Sequence, residues 1–338
     1  MNDITVALYS DGACGTTPIM PFLGARFDGA EFAKLCKTYL AAALLRCGFD
    51  VYDANPDGGA IDNVDLVMRI NRRNAYAAIS VTAAGFGSRK SFNDASGATV
   101  RFPGGRFTAR SRIFAEDICA KLPDCKVAPD TEFGMLNCKA AMVCAGYLTN
   151  FDEAKRLCDP DFAVMIAESV ALGACEHFDM PYIRRDDVSS YPLLCSSRRG
   201  KKVKMLQALL NAYGAKLPVD GAYGGETDAA VRAFVSDNGK RRDGGITADV
   251  WRDLLLTDLP ELAYGSANNA ARYIQRKLRS KLYPVEQTGV FDEKTLIALN
   301  EFLAETVGGG FALDKTSKVD ADIYKLLAPI GGGRPRLF

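Results

Sequence analysis

The feature that most restricts the fold of this 338-residue chain is a change of pattern near its midpoint. In the first half, short apolar strands alternate with helical segments; in the second half a helical unit occurs twice. Alternating strands and helices predict a layered α/β sheet flanked by helices, whereas a short repeated helical unit predicts small all-α modules. We therefore expect an α/β domain over residues 1–180, a linker over 181–200, three-helix modules over 201–257 and 264–330, and a flexible tail over 331–338.

The predicted domain of the first half follows a regular succession of elements. Apolar residues three to four positions apart indicate helices, and short continuous apolar runs indicate buried strands. The predicted strands cover residues 4–10, 49–54, 77–84 and 139–148, and the predicted helices cover 31–47, 66–75, 108–122 and 159–178. Strand, helix and strand at these intervals give the layered α/β sheet.

The charge balance and the hydropathy of the chain exclude several classes of function. Forty-two Lys and Arg residues stand against 41 Asp and Glu residues, a net charge of +1, which argues against nucleic acid as a partner. No apolar run reaches the roughly 18 residues that a membrane-spanning helix needs. The first residues show no basic segment followed by a long apolar stretch, so we expect no signal peptide and synthesis in the cytoplasm.

Histidine and cysteine usage limits the possible metal chemistry. The chain has one histidine, His177, so a site with two histidine ligands cannot form within it. Its ten cysteines contain no C-x-x-C spacing, which leaves zinc-knuckle and thioredoxin interpretations without support. In the absence of an export signal we expect these cysteines to be reduced and mostly buried.

The first helical unit carries a long motif. Its residues are Leu206-Gln207, Gly214, Asp220-Gly221, Tyr223-Gly224, Thr227, Ala230-Val231, Phe234, Asp243-Gly244 and Trp251. This pattern resembles the three-helix peptidoglycan-binding domain of many bacterial and phage wall hydrolases. The resemblance implies peptidoglycan as a partner, with Asp220, Gly221, Tyr223 and Thr227 as the candidate binding residues. The alternative is that these residues only form the turn and core of a helical domain, which Trp251 closes.

The second helical unit keeps part of the same motif. The shared residues are Ile274-Gln275, Gly289, Phe291-Asp292, Thr295, Ala298 and Phe302. Tyr324 lies where the tryptophan of the motif would fall. We interpret this unit as a diverged second peptidoglycan-binding module.

The α/β half contains a second set of motif residues. They are Asp11-Gly12-Ala13-Cys14-Gly15, Glu31, Arg69 with Asn74, Ser80-Val81-Thr82, and Cys144 to Asn150. Together these stretches resemble the zinc-dependent N-acetylmuramoyl-L-alanine amidase domain. The resemblance covers nearly all of residues 4–178 and implies the amidase fold. In that family two histidines and a glutamate hold the zinc, and a second glutamate transfers protons.

The residues of this chain at those four positions are different. The two histidine positions fall on Cys14 and Thr82, and the proton-transferring glutamate falls on Cys144. Only the glutamate ligand is kept, as Glu31, or is replaced by Ala30 if the alignment shifts by one residue. We therefore expect no catalytic residues, no bound metal and no other cofactor.

Two ways in which this domain could still be catalytic remain open. Cys14, Glu31 and Cys144 would form a rebuilt three-ligand set, and thiolates bind zinc well, so zinc is the one cofactor to consider. A cysteine nucleophile at Cys14 or Cys144 is less favoured because no histidine is available to activate it. The resemblance places His177 at a variable surface position at the end of the last helix, where it cannot replace a lost ligand.

These observations favour a peptidoglycan-binding protein whose amidase-like domain is an inactive docking platform. Its further partners would be proteins of a phage, injection or wall-synthesis assembly. The first alternative is an active amidase of the phage-lysin type that cleaves the bond between N-acetylmuramic acid and L-alanine with a rebuilt metal site. The second is a cytoplasmic regulator of wall synthesis. The protein would act at the cell wall if it is released or carried there, and otherwise in the cytoplasm.

Overall fold

The computed structural model describes residues 4–10, 14–21, 23–187, 194, 198–237, 246–255, 259–307 and 311–327. The segment 11–13, residues 188–193 and 195–197 of the predicted linker, Asp243-Gly244 and the predicted tail therefore lie outside the described residues. The chain forms two compact units. The first comprises Met1–Ile19, Arg26–Leu157 and Asp161–Ile183, and the second comprises Met20–Ala25, Cys158–Pro160 and Arg184–Phe338.

The first unit is built on a six-stranded sheet with the strand order β2-β1-β3-β6-β4-β5. Its strands are β1 (Thr5–Ser10), β2 (Asp50–Asp53), β3 (Ala77–Ala84), β4 (Thr99–Pro103), β5 (Lys126–Asp130) and β6 (Lys139–Tyr147). Strands β2, β1, β3 and β6 are parallel neighbours, whereas β4 pairs antiparallel with β6 and parallel with β5. The predicted α/β sheet is confirmed, with two strands, β4 and β5, that the sequence pattern did not indicate.

Five helices accompany these strands: α1 (Gly29–Arg46), α2 (Asn63–Arg73), α3 (Thr108–Cys119), α4 (Phe151–Cys158) and α5 (Pro160–His177). Helix α1 begins two residues before its predicted start because the Asp28 side chain accepts a hydrogen bond from the Ala30 amide and caps the helix. It ends before Gly48, whose φ of 97° is in the left-handed region that favours glycine. Helix α1 contacts β3, and helix α3 contacts β4 and β6.

The second unit is mainly helical. Its helices are α6 (Lys201–Ala212), α7 (Gly225–Asp237), α8 (Ala248–Leu254), α9 (Asn269–Ser280), α10 (Glu293–Val307) and α11 (Ala321–Leu327). A small antiparallel pair, β7 (Leu262–Ala263) and β8 (Lys318–Val319), corrects the expectation of purely α-helical structure. The indole of Trp251 is fully buried, as the sequence predicts for the residue that closes the core. Within the described ranges, no helix has both the length and the hydropathy needed to cross a membrane.

The cysteines of the described residues lie mostly in the interior. There are nine of them, and every one except Cys125 is buried. This burial agrees with the sequence expectation of small apolar residues.

Candidate functional site

Three of the four predicted site positions meet at the carboxyl ends of the central strands. The Cys14 Sγ atom lies 3.1 Å from the Thr82 Oγ1 atom. Thr82 is in turn the register partner of Cys144 on the adjacent parallel strand, so the two side chains share one face of the sheet. Cys14, Thr82 and Cys144 therefore lie together at this edge of the sheet.

The first turn of helix α1 lies against the same edge of the sheet. The Gly29 amide donates to the Gly15 carbonyl at 2.9 Å, and a Cβ atom on Gly29 would lie 2.9 Å from that of Cys14. This close approach requires glycine at position 29. Glu31 follows in the same turn, but its side chain is exposed.

The side chains gathered at this edge do not fit a zinc ion. They supply two thiols and a hydroxyl, and burial raises the pKa of the Cys144 thiol, whereas zinc binds the thiolate. Throughout the part of the chain that the structure describes, no three His, Cys, Asp or Glu side chains are grouped so that they could hold a metal ion. The set Cys14, Glu31 and Cys144 is thus not assembled in this structure, and Asp11 lies outside the described residues.

Arg89 is a residue of this edge that the sequence analysis missed. A Cβ atom on Gly15 would lie 1.7 Å from the Arg89 Nη1 atom, and one on Gly85 would lie 2.3 Å from Nε. The guanidinium group therefore lies directly against Gly15, which follows Cys14, and against Gly85. Its positive charge opposes the binding of a divalent cation beside it.

Glu153 is a second residue that the sequence analysis missed. Its buried carboxylate accepts hydrogen bonds from the Gly97 amide at 2.8 Å and from the Tyr147 amide at 2.7 Å. Both oxygen atoms are thus engaged by backbone donors, and the side chain joins the end of β6 to the segment before β4. This contact pattern assigns Glu153 to loop geometry, although it is the buried acid nearest in sequence to Cys144.

The expectation that His177 lies at a surface position is wrong. Its side chain is only 10 % exposed, and it contacts Asp117 and Lys139 rather than solvent. Lys139 is the first residue of β6, so His177 lies at the amino end of this strand, away from Cys144. The burial follows from the packing of the imidazole ring against the rings of Phe114 and Phe178, with centroid distances of 4.7 and 4.8 Å.

The candidate binding residues of the first helical module surround a buried glutamine, Gln207. Its Nε2 atom donates to Asp220 Oδ1 at 2.8 Å, to the Ala222 carbonyl at 3.1 Å and to Thr227 Oγ1 at 3.2 Å. Its Oε1 atom accepts from the Gly221 amide at 2.9 Å. Asp220, Gly221 and Thr227 therefore hold the loop between α6 and α7 in place.

The second helical module contains the same arrangement around Gln275. Its Nε2 atom donates to Thr288 Oγ1 at 3.0 Å, to the Val290 carbonyl at 2.9 Å and to Thr295 Oγ1 at 3.0 Å. The Gly289 amide donates to Oε1 at 2.9 Å. These partners lie 13, 15, 20 and 14 residues after the glutamine, the same separations as in the first module.

The aromatic positions of the two modules also have similar environments. Tyr223 and Trp251 are buried in the first module. In the second, Tyr324 is 8 % exposed, and its hydroxyl group donates to the Pro260 carbonyl at 3.0 Å. Tyr223 therefore contributes to the core of its module rather than presenting a free ring for stacking on a sugar.

Comparison with known proteins gives different results for the two halves of the chain. No curated protein sequence matches it. Among solved structures, it is similar to the N-acetylmuramoyl-L-alanine amidase of Clostridium difficile 630, with 16 % identity, a TM-score of 0.45, and coverage of 53 % of this chain and 98 % of the amidase. The CwlD amidase of Clostridioides difficile, solved in complex with the GerS lipoprotein, has 16 % identity, a TM-score of 0.43 and coverages of 52 % and 99 %.

A third similar structure is the AmiC2 amidase of Nostoc punctiforme, with 19 % identity, a TM-score of 0.42, and coverage of 52 % of this chain and 97 % of the amidase. These structures belong to the class that the sequence resemblance names for the α/β half. For the helical half, residues 199–254 match the family model described as "Putative peptidoglycan binding domain".

Proposed function

We propose that this chain is a peptidoglycan-binding protein that acts at the cell wall, with an amidase-like α/β domain that does not cleave the wall. The match of residues 199–254 to the peptidoglycan-binding family carries the first part of this proposal. The α/β domain then serves as a platform that binds wall fragments or other proteins of a phage, injection or wall-synthesis assembly.

The absence of amidase activity is inferred from the residues at the strand ends. Cys14 and Thr82 occupy the two positions that the resemblance assigns to histidine ligands, and Cys144 occupies that of the proton-transferring glutamate. The thiols are buried, and Arg89 brings a guanidinium group to the same edge. A hydroxyl and buried thiols supply neither a base for water nor the negative charge that would offset a divalent ion.

We further propose that both helical modules bind peptidoglycan. The matching hydrogen bonds of Gln207 and Gln275 support this part, because they place the loop between the first two helices of each module in the same conformation. Two weak sites on one chain gain from effective concentration, since binding of the first holds the second near the polymer. Modest affinity at each module would then suffice for retention on the wall.

Sedimentation with insoluble peptidoglycan tests the proposed function. The full chain is expected to pellet with purified wall material and to leave the turbidity of the suspension unchanged over hours. Retention in the supernatant would contradict wall binding and favour the cytoplasmic regulator. A fall in turbidity, with new amino-terminal alanine on the wall peptides, would instead establish the active amidase.

Zinc content gives an independent prediction about the α/β domain. Tag-free protein analysed by plasma mass spectrometry is expected to carry far less than one zinc per chain, and a chelator is expected to leave its melting temperature unchanged. The reason is that a structural metal adds its binding energy to the folding energy, so its removal lowers stability. One zinc per chain together with a lower melting temperature after chelation would show that a metal site has been rebuilt.

A further inference from the structure

A pocket of about 490 Å³ lies at the amino ends of β3 and β6, away from Cys14 and Thr82. Its lining includes Tyr76, just before β3, and Lys139, the first residue of β6. The volume is within the range of about 300–1,000 Å³ that is typical of small-molecule sites. Nothing in the proposed wall-binding function uses this pocket.

The only histidine of the chain connects two charged groups beside this pocket. The Lys139 Nζ atom lies 2.9 Å from His177 Nε2, and Asp117 Oδ2 lies 2.6 Å from His177 Nδ1. Burial lowers the pKa of His177, with the neighbouring ammonium of Lys139 acting in the same direction, against the effect of Asp117. The neutral ring then donates from Nδ1 to Asp117 and accepts from Lys139 at Nε2.

Two cationic side chains, those of Lys139 and Arg110, line the pocket although their charges repel each other. Burial lowers the pKa of Lys139, and the guanidinium group of Arg110 lowers it further. An ammonium group has three N–H donors, and the contact with His177 uses one of them. Lys139 and Arg110 thus present donors and positive charge that a bound anion would stabilise.

The walls around these charges are aromatic and apolar. Phe107, Tyr76 and Ile113 line the pocket. Tyr76 is 57 % exposed and Ile113 is 54 % exposed. Large apolar side chains with this exposure at a pocket rim offer a surface for the non-polar part of a ligand. A free inorganic anion would leave this surface uncovered.

We propose that the pocket binds a small phosphate monoester whose phosphate group contacts Lys139 and Arg110 and whose apolar or aromatic part lies against Tyr76 and Phe107. The two cations match the two negative charges of a phosphate monoester at neutral pH. His177 and Asp117 act as positioning residues. His177 holds the Lys139 ammonium group at the pocket, and Asp117 fixes the orientation of the His177 ring. Binding here is non-covalent and requires no metal.

Nuclear magnetic resonance of the histidine side chain tests this proposal directly, because the chain contains only one. Full-length protein with labelled histidine is titrated with phenyl phosphate, inorganic phosphate and benzoate. Phenyl phosphate is expected to shift the His177 resonance saturably and to raise the pKa of His177, since a nearby anion favours the imidazolium form. Inorganic phosphate should bind more weakly because it lacks the ring, and benzoate more weakly because it carries one charge.

Variants on helix α3 and strand β6 provide the matched comparison. Arg110→Gln and Lys139→Met are each expected to weaken phenyl phosphate binding about tenfold or more, since each removes a charged donor to phosphate. Arg112→Gln is the control, because Arg112 lies on the same helix, is exposed and pairs with Glu116 at 2.8 Å. Arg110 is also exposed, so its replacement should leave the fold intact.

Three results would overturn the proposal. One is a His177 resonance that does not respond to phenyl phosphate. Another is equal binding of benzoate and phenyl phosphate, which would show that the pocket does not select a phosphate group over a carboxylate. The third is an equal loss of affinity in Arg110→Gln and Arg112→Gln, which would show that only the net charge of the surface matters.

Discussion

Replacing Trp251 by alanine is expected to unfold the first helical module. The indole is completely buried, and truncation of a buried aromatic side chain costs about 3–5 kcal/mol. A three-helix module of this size has a free energy of unfolding of only about 3–5 kcal/mol, so the substitution removes an amount comparable with the total stability of the module. The variant should therefore lose the cooperative unfolding transition of residues 201–257.

Tyr324→Ala in the second module is the matched variant. Tyr324 occupies the corresponding position, but it is slightly exposed, and its hydroxyl group bonds to the Pro260 carbonyl. Its loss should destabilise only the second module. Calorimetry of the full chain, with hydrogen exchange to assign each transition, distinguishes the two. An unchanged first transition in Trp251→Ala would show that our interpretation of the helical repeat is incorrect.

The same pair of variants tests how the modules share wall binding. If both modules bind, each single variant should pellet less completely with peptidoglycan, and the double variant should remain in the supernatant. Full retention of Trp251→Ala together with a lost first transition would assign wall binding elsewhere in the chain. The wild-type protein offers a further readout, because its one tryptophan makes intrinsic indole fluorescence specific to the first module.

The sequence predicts the central elements of the α/β unit because their hydrophobic patterns are strong. The predicted strand over 77–84 coincides with β3, whose side chains are almost all buried. The sequence does not predict strand β5, because this strand lies at the sheet edge and has no fully buried residue. It also contains Pro129, and proline weakens a strand pattern. The two-residue strands β7 and β8 are too short to produce a periodic pattern.

The candidate site is predictable to the extent that it depends on strand ends. The contact between Cys14 and Thr82 follows from the parallel order of β1 and β3. The position of Arg89 does not, because it depends on a loop in which Arg89 itself has a φ of 55° and rests on two glycines. The burial of His177 likewise depends on tertiary neighbours rather than on its place at a helix end.

The second large effect is expected in the α/β unit, at the ion pair between Arg46 and Glu168. These side chains are 0 % and 1 % exposed, and the Arg46 guanidinium donates directly to a Glu168 oxygen. Tyr182 donates to the same oxygen at 2.6 Å, and Arg46 Nε donates to the Ile183 carbonyl at 2.7 Å. This cluster ties the end of helix α1 to helix α5 and to residues 182–183.

Arg46→Met should destabilise the α/β unit by about 3–5 kcal/mol, because it leaves the Glu168 carboxylate buried without its cation. The double variant Arg46→Met with Glu168→Leu should regain much of that loss, since it removes both charges together. Denaturant unfolding of the two variants measures the difference. Equal stability of the single and double variants would mean that the unpaired Glu168 carboxylate is not the cause of the loss. A large recovery, combined with chelator-insensitive melting, would show that side-chain contacts rather than a metal stabilise this unit, as expected of a binding platform.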